Sequence, residues 1–141
     1  QQMDTPDNVY HAPANLFIAD FIGNPKVNLM EGFITGKDTV DLGKFNVNVK
    51  TYNHTGDVVV GIHPEDILVH TAPVDGAVEF MAYSVMPSGA ETTLIAHKGD
   101  TELTIKEMGV SKIQMDQKIW LSFNPNSINL YDKVSGNLIT A

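Results

Sequence analysis

Histidine is the side chain best suited to moving protons near neutral pH or to binding a transition metal, and this sequence contains five of them. No pair has the tight spacing, such as HxxxH, that places two ligands on one face of a helix. The chain also has no cysteine that could complete a zinc site or act as a nucleophile. The spacing therefore predicts structural or solvated histidines and no metal site. The five are His11, His54, His63, His70 and His97.

Two other patterns resemble reactive sites but lack an essential feature. The stretch GFITGKDT (residues 32–39) resembles a phosphate-binding loop, but its two glycines enclose three residues instead of four. Asp38 stands where Ser or Thr would hold magnesium, so we expect a hairpin turn there. The adjacent carboxylates Glu65 and Asp66 would point apart on a strand or turn and could not share a substrate. We therefore expect no catalytic residue in this chain.

The charge balance disfavours several classes of partner. The chain has 17 acidic and 9 basic side chains, a net charge of −8 and no arginine. Nucleic acids and anionic membrane surfaces require clustered basic residues, and bidentate recognition of phosphate favours arginine. No stretch approaches the roughly 18 apolar residues of a membrane span. We expect a cytoplasmic protein that does not bind nucleic acid, and the initial Gln-Gln suggests a piece of a longer chain.

A short apolar helix is expected near the start, from Ala14 to Ile22. Pro13 suits the opening of this helix, whereas Gly23 and Pro25 suit its end. Burying five large apolar side chains stabilises a protein by about 7–15 kcal/mol. We therefore expect this helix to pack on its own chain or on a second copy, or to be disordered. Its large apolar residues are Leu16, Phe17, Ile18, Phe21 and Ile22.

After residue 25 the pattern changes to short strands. About nine stretches alternate apolar and polar residues, as in KFNVNVKTY, where Phe45, Val47 and Val49 fall on one face. Turns rich in Gly, Asp and Asn separate these stretches. The pattern predicts a mainly all-β fold, an antiparallel barrel or sandwich with short N-terminal helices. Within it, GIHPED (residues 61–66) predicts a single helical turn that begins at Pro64.

Several stretches together resemble one known family. TPDNVYHAPANLFIADFIGNPKVN (residues 5–28) resembles the segment that joins the nucleotide-binding domain to the C-terminal regulatory domain in ATPase subunits of sugar-importing ABC transporters. GIHPED, GAETTL (residues 89–94) and INLYDKVSGNLI (residues 128–139) resemble three shorter motifs that follow in the same family. The PKVN ending favours the maltose, multiple-sugar or glycerol-phosphate branch. His63 replaces the arginine that is usual in this family, so a neutral ring near pH 7 takes the place of a permanent charge.

The resemblance implies a TOBE-type, OB-like β-barrel regulatory domain over residues 25–141, preceded by the helical edge of an ATPase domain over residues 1–24. ATP and magnesium would bind the missing ATPase domain, and this chain itself would bind no cofactor. The implied partners are a second ATPase subunit, the transporter's membrane subunits through the missing domain, and a cytoplasmic regulatory protein, at the inner face of the cell membrane. The expected exposed contact corner is His63, Pro64, Glu65 and Asp66.

Two other functions use the same fold. TOBE-type barrels elsewhere bind oxyanions such as molybdate, which requires backbone amides together with Lys, Arg, Ser or Thr. An oligonucleotide-binding barrel requires a basic groove with aromatic stacking platforms. An acidic chain without arginine suits the oxyanion sensor poorly and the oligonucleotide barrel still less.

Overall fold

A computed structural model of the chain describes residues 27–139. The predicted apolar helix and the predicted domain boundary at residue 24 lie outside the described residues. Within residues 27–139 no helix is long and apolar enough to cross a membrane.

The described residues form β-strands joined by short turns, as the alternating pattern predicts. Two 3-10 turns, Pro64–Asp66 and Pro125–Ser127, interrupt them. The strands are β1 (Asn28–Gly36), β2 (Thr39–Asp41), β3 (Asn46–Asn48), β4 (Gly56–Ile62), β5 (Ile67–His70), β6 (Val78–Ser88), β7 (Glu91–Lys98), β8 (Thr101–Met108), β9 (Lys118–Phe123) and β10 (Asn129–Asp132).

The chain divides into two compact units. The first contains the described residues up to Ile62 together with those from Pro125 onward, and the second contains His63–Asn124. Each unit holds one five-stranded antiparallel sheet, in the order β10-β4-β1-β2-β3 in the first and β5-β9-β6-β7-β8 in the second. The all-β prediction is therefore confirmed.

The core of the first unit depends on β4, whose run of valines is buried on both faces of the sheet. Val58 and Val60 are about 1% exposed, and Val59, on the opposite face, is 7% exposed. Val59 packs with Val27 and Tyr131 in a small cluster on that face. An apolar run without alternation is expected of a strand that is covered on both sides.

In the second unit each strand buries the side chains of one face only. Its buried side chains alternate with partly or fully exposed ones along β6 to β9, as period-two patterning requires. The buried set includes Phe80, Leu94, Leu103, Ile105, Ile119 and Leu121.

The hairpin predicted at residues 36–38 is present, and it joins β1 to β2. Asp38 has a φ of 57°, a left-handed conformation that aspartate tolerates better than most residues. Strand β2 was not predicted, because its three residues fall below the length at which alternation can be recognised.

Candidate functional site

The turn predicted from GIHPED is present, but only part of it is exposed. Pro64–Asp66 forms one 3-10 turn after β4, with Pro64 at its start. The expectation that the whole corner is exposed is wrong for Pro64, which is buried, because the turn packs against β8. The His63 side chain is only 15% exposed. The surface of the corner is therefore formed mainly by Glu65 and Asp66.

The electrostatics of this corner are dominated by the partly buried carboxyl of Asp66 and by the neighbouring Glu65. Burial raises the pKa of the Asp66 carboxyl, the neighbouring Glu65 raises it further, and His63 lowers it. His63 Nδ1 lies 3.9 Å from Asp66 Oδ2, which is long for a charge-assisted hydrogen bond. The two side chains of the corner that reach the surface are therefore both acidic.

The other family-like motifs hold the fold together. A Cβ atom on Gly61 would lie 3.2 Å from the Tyr131 ring, so glycine allows β4 to pass close to that ring. The Thr92 hydroxyl donates to the carbonyl of Gly109 at 2.8 Å and accepts from the amide of Ser111 at 3.1 Å. In both motifs the matching residues make contacts that stabilise the fold.

The closing motif is also structural. Asp132 Oδ1 accepts hydrogen bonds from the amides of Val134 and Ser135, both at 2.9 Å, and the first cause of its lowered pKa is the bond from Ser135. The neighbouring Tyr131 is 1% exposed. Burial raises the pKa of its phenol to about 12.

One face of the second-unit sheet carries exposed apolar side chains. Along β6, Phe80 and Ala82 are buried, whereas Met81 and Tyr83 between and beyond them are 39% and 55% exposed. Leu68 on β5 is 61% exposed. Strand register places these residues with their neighbours on a single face, because directly paired residues share a side of the sheet. We call this surface the Tyr83 face: Leu68, Glu79, Met81, Tyr83, His97, Lys118 and Trp120.

The centre of the Tyr83 face is ordered by side-chain contacts. The rings of Tyr83 and His97 stack with their centroids 4.3 Å apart and an interplanar angle of 23°. His97 Nε2 lies 2.9 Å from Glu102 Oε1. A fixed aromatic ring loses little side-chain entropy when a partner covers it, so it is a good anchor for an interface.

The sequence analysis did not single out this face. Its only signal is that both alternating sets of residues in VEFMAYSV (residues 78–85) are rich in apolar side chains. That signal shows that both faces of the strand are apolar, but it does not show which face is buried in the core.

A concave surface feature lies within the first unit. It is a pocket of about 190 Å³, and its lining residues are Val49, Lys50, Tyr52, Pro125, Asn126, Ile128 and Asn129. Lys50 is its charged residue, and the Tyr52 side chain beside it is exposed. Neither residue was predicted to form a site.

The described part of the chain contains no group of three or more His, Asp or Glu side chains placed to hold a metal ion. His63 and His97 have the carboxylate contacts described above, and His70 Nε2 lies 2.9 Å from the hydroxyl of Ser122.

The sequences of three curated relatives align with most of this chain. The trehalose/maltose import ATP-binding protein MalK of Thermococcus litoralis is 27% identical over 99% of the chain and 41% of its own length. The xylose/arabinose import ATP-binding protein XacK of Haloferax volcanii is 31% identical over 99% of the chain and 39% of its own length. The Fe(3+) ions import ATP-binding protein FbpC of Fusobacterium nucleatum is 32% identical over 93% of the chain and 36% of its own length. The chain thus spans about two fifths of these relatives.

A solved structure supports the fold. The cytoplasmic molybdate-binding protein ModG superposes with a TM-score of 0.58 at 13% identity, over 73% of this chain and 94% of ModG. At that identity the likeness concerns the fold alone, and the fold is of the OB type. No protein-family model matches the chain. The chain, with its OB/TOBE-type fold, is homologous over nearly its whole length to the ATP-binding subunits of sugar-importing ABC transporters.

Proposed function

We propose that this chain is a regulatory and dimer-supporting domain of an ATP-binding subunit in an ABC sugar importer, without catalytic activity of its own. The observation that carries this proposal is the Tyr83 face. An exposed surface that combines large apolar side chains, an ordered aromatic ring and a few charged groups is typical of a protein interface. The partner that we assign to it is a second copy of the same subunit.

The energetics of the Tyr83 face suit a weak, reversible interface. Full burial of one large apolar side chain contributes about 1.5–3 kcal/mol, and the face carries three that are more than a third exposed: Leu68, Met81 and Tyr83. Association must also offset several kcal/mol of lost translational and rotational freedom. The face can therefore support a weak dimer. In the longer protein, contacts between the attached ATPase domains would strengthen it.

The rest of the proposal concerns the longer protein to which this domain would belong. ATP and magnesium would bind its ATPase domain, and that domain would contact the membrane subunits at the inner face of the cell membrane. The acidic corner of Glu65 and Asp66 would remain available to a cytoplasmic regulatory protein, since both side chains reach the surface.

Sedimentation equilibrium on the chain tests the dimer role. Tyr83→Glu places a charge at the centre of the face, and each copy in a symmetric dimer loses one aromatic contact. We expect the dimer dissociation constant to rise at least about 100-fold, which corresponds to about 1.5 kcal/mol for each copy. Val134→Glu is the matched control, because Val134 is 96% exposed and lies in the other unit.

Two results would contradict the proposal. One is a wild-type chain that stays monomeric at its highest soluble concentration. The other is a dimer that Tyr83→Glu and Val134→Glu weaken equally.

The alternative function is a small-ligand sensor of the oxyanion class, and the likeness of the fold to that of ModG favours it. Isothermal titration of the chain with molybdate distinguishes the two functions. Saturable binding would support the sensor. An absence of heat beyond dilution would leave the dimer-supporting role as the one function to pursue.

A further inference from the structure

The pocket in the first unit has the size of a small-molecule site. Its volume of about 190 Å³ equals the liquid volume of about six water molecules, at roughly 30 Å³ each. A single sugar ring has about this size. The pocket lies within one unit, so its shape depends only on residues of that unit.

The floor and rim of the pocket differ in chemistry. Val49 and Ile128 are both about 3% exposed and provide an apolar floor. The amide side chains of Asn126 and Asn129 and the phenol of Tyr52 provide donors and acceptors. The pocket is therefore lined more by polar than by apolar groups, which suits a hydroxylated ligand better than an apolar one.

Lys50 gives the pocket its charge preference. The chain carries a net charge of −8. Even so, the Lys50 ammonium forms no ion pair, at a nitrogen–oxygen distance of 4.0 Å or less, with any carboxylate of the described residues. One cation in an acidic protein can balance one negative charge. It cannot balance the nearly two charges of a phosphate monoester.

The backbone at Tyr52 is held in an unfavourable conformation. Tyr52 has a φ of 50° and Asn53 a φ of 64°, a left-handed geometry that bulky residues rarely adopt. The preceding Thr51 is fixed by hydrogen bonds from its amide and hydroxyl to Asp38 Oδ1, at 2.9 and 3.3 Å. The two left-handed residues form a tight turn that the amide of His54 closes on the carbonyl of Thr51 at 2.9 Å, and this turn holds Tyr52 at the edge of the pocket.

We propose that this pocket binds a small hydroxycarboxylate with a single negative charge, of the sugar-acid class. Lys50 pairs with the carboxylate, the asparagine amides bind the hydroxyls, and the Tyr52 ring covers one face of the ligand. This inference is independent of the dimer-supporting role, because the Tyr83 face and the pocket belong to different units.

Isothermal titration of the whole chain with D-glucuronate, D-glucose and D-glucose 6-phosphate tests the proposal. For a ligand of this size we expect a dissociation constant of about 1 mM for glucuronate. Glucose and glucose 6-phosphate should bind at least about tenfold more weakly, because the first lacks the carboxylate and the second carries an uncompensated charge. No saturable binding of glucuronate, equal binding of glucose, or tighter binding of the phosphate would each overturn the assignment.

Two variants separate binding from folding. Lys50→Gln should weaken glucuronate at least about tenfold, whereas Lys44→Gln, on an exposed lysine of the same unit, should leave the affinity unchanged. Tyr52→Asn should abolish binding and yet leave thermal stability unchanged or higher, because asparagine tolerates the left-handed conformation. A Tyr52→Asn variant that loses stability together with binding would assign Tyr52 a structural role and overturn its role in the pocket.

Discussion

Replacing Asp38 by alanine should destabilise the first unit, because this carboxylate joins two distant parts of its chain. Asp38 lies in the β1–β2 turn, and its Oδ1 accepts hydrogen bonds from the amide and the hydroxyl of Thr51. Thr51 is 3% exposed, so water cannot readily replace the lost acceptor.

The magnitude follows from two contributions. A hydrogen bond to a charged acceptor contributes about 1.5–3 kcal/mol. Alanine at the φ of 57° observed for Asp38 adds about 1 kcal/mol, because a Cβ atom without a local polar partner is disfavoured in the left-handed region. We expect a total loss of about 2.5–4 kcal/mol and a melting temperature about 5–15 °C lower.

Urea denaturation and calorimetry of three proteins measure this effect: the wild type, Asp38→Ala and Asp38→Asn. Asparagine keeps an acceptor oxygen and tolerates the turn conformation, so its loss should be about 1 kcal/mol or less. Equal stability of the alanine and asparagine variants would show that neither the hydrogen bonds nor the turn geometry carries the effect, and would refute the reasoning.

Two further substitutions test other parts of the fold. Thr92→Val should lower the free energy of unfolding by about 1–3 kcal/mol, since it leaves the carbonyl of Gly109 and the amide of Ser111 without their partner. Thr92→Ser retains the hydroxyl, so urea titration should show a smaller loss of unfolding free energy for this variant. Asp66→Asn should stabilise the protein at pH 7, because burial first and Glu65 second raise the folded-state pKa above 3.8 and ionisation therefore opposes folding above that raised value. The advantage should disappear as the pH falls below 3.8, and a difference in melting temperature that stays constant between pH 7 and that range would contradict the assignment.

Much of the fold follows from local sequence patterns. Alternation in segments such as ETTLIAHK predicts strands because the side chains of a strand point to opposite faces in turn. Proline after a strand predicts the turn at residues 64–66, because its fixed φ suits the start of a helical turn. The helix predicted from Ala14 to Ile22 lies outside the described residues and remains a prediction.

The candidate sites were less accessible to sequence reasoning. The pocket brings Lys50 and Tyr52 next to Asn126 and Asn129, and no local pattern links segments that are more than 70 residues apart. Their proximity depends on β10 pairing with β4 and on β4 pairing with β1, which carries the sheet on to β2 and β3. Loop closure and strand register are properties of the whole chain.

The sequence by itself therefore determined the all-β class, the turn positions, the homology to importer ATP-binding subunits and the acidic character of the chain. These properties depend on residue type and on neighbours within a few positions. Only the tertiary structure decided that Pro64 is buried against β8, that Met81 and Tyr83 stay exposed while Phe80 and Ala82 enter the core, and that the pocket exists. The physical reason is that alternation separates the two faces of a strand but cannot say which face will be covered, since that depends on segments distant in the chain.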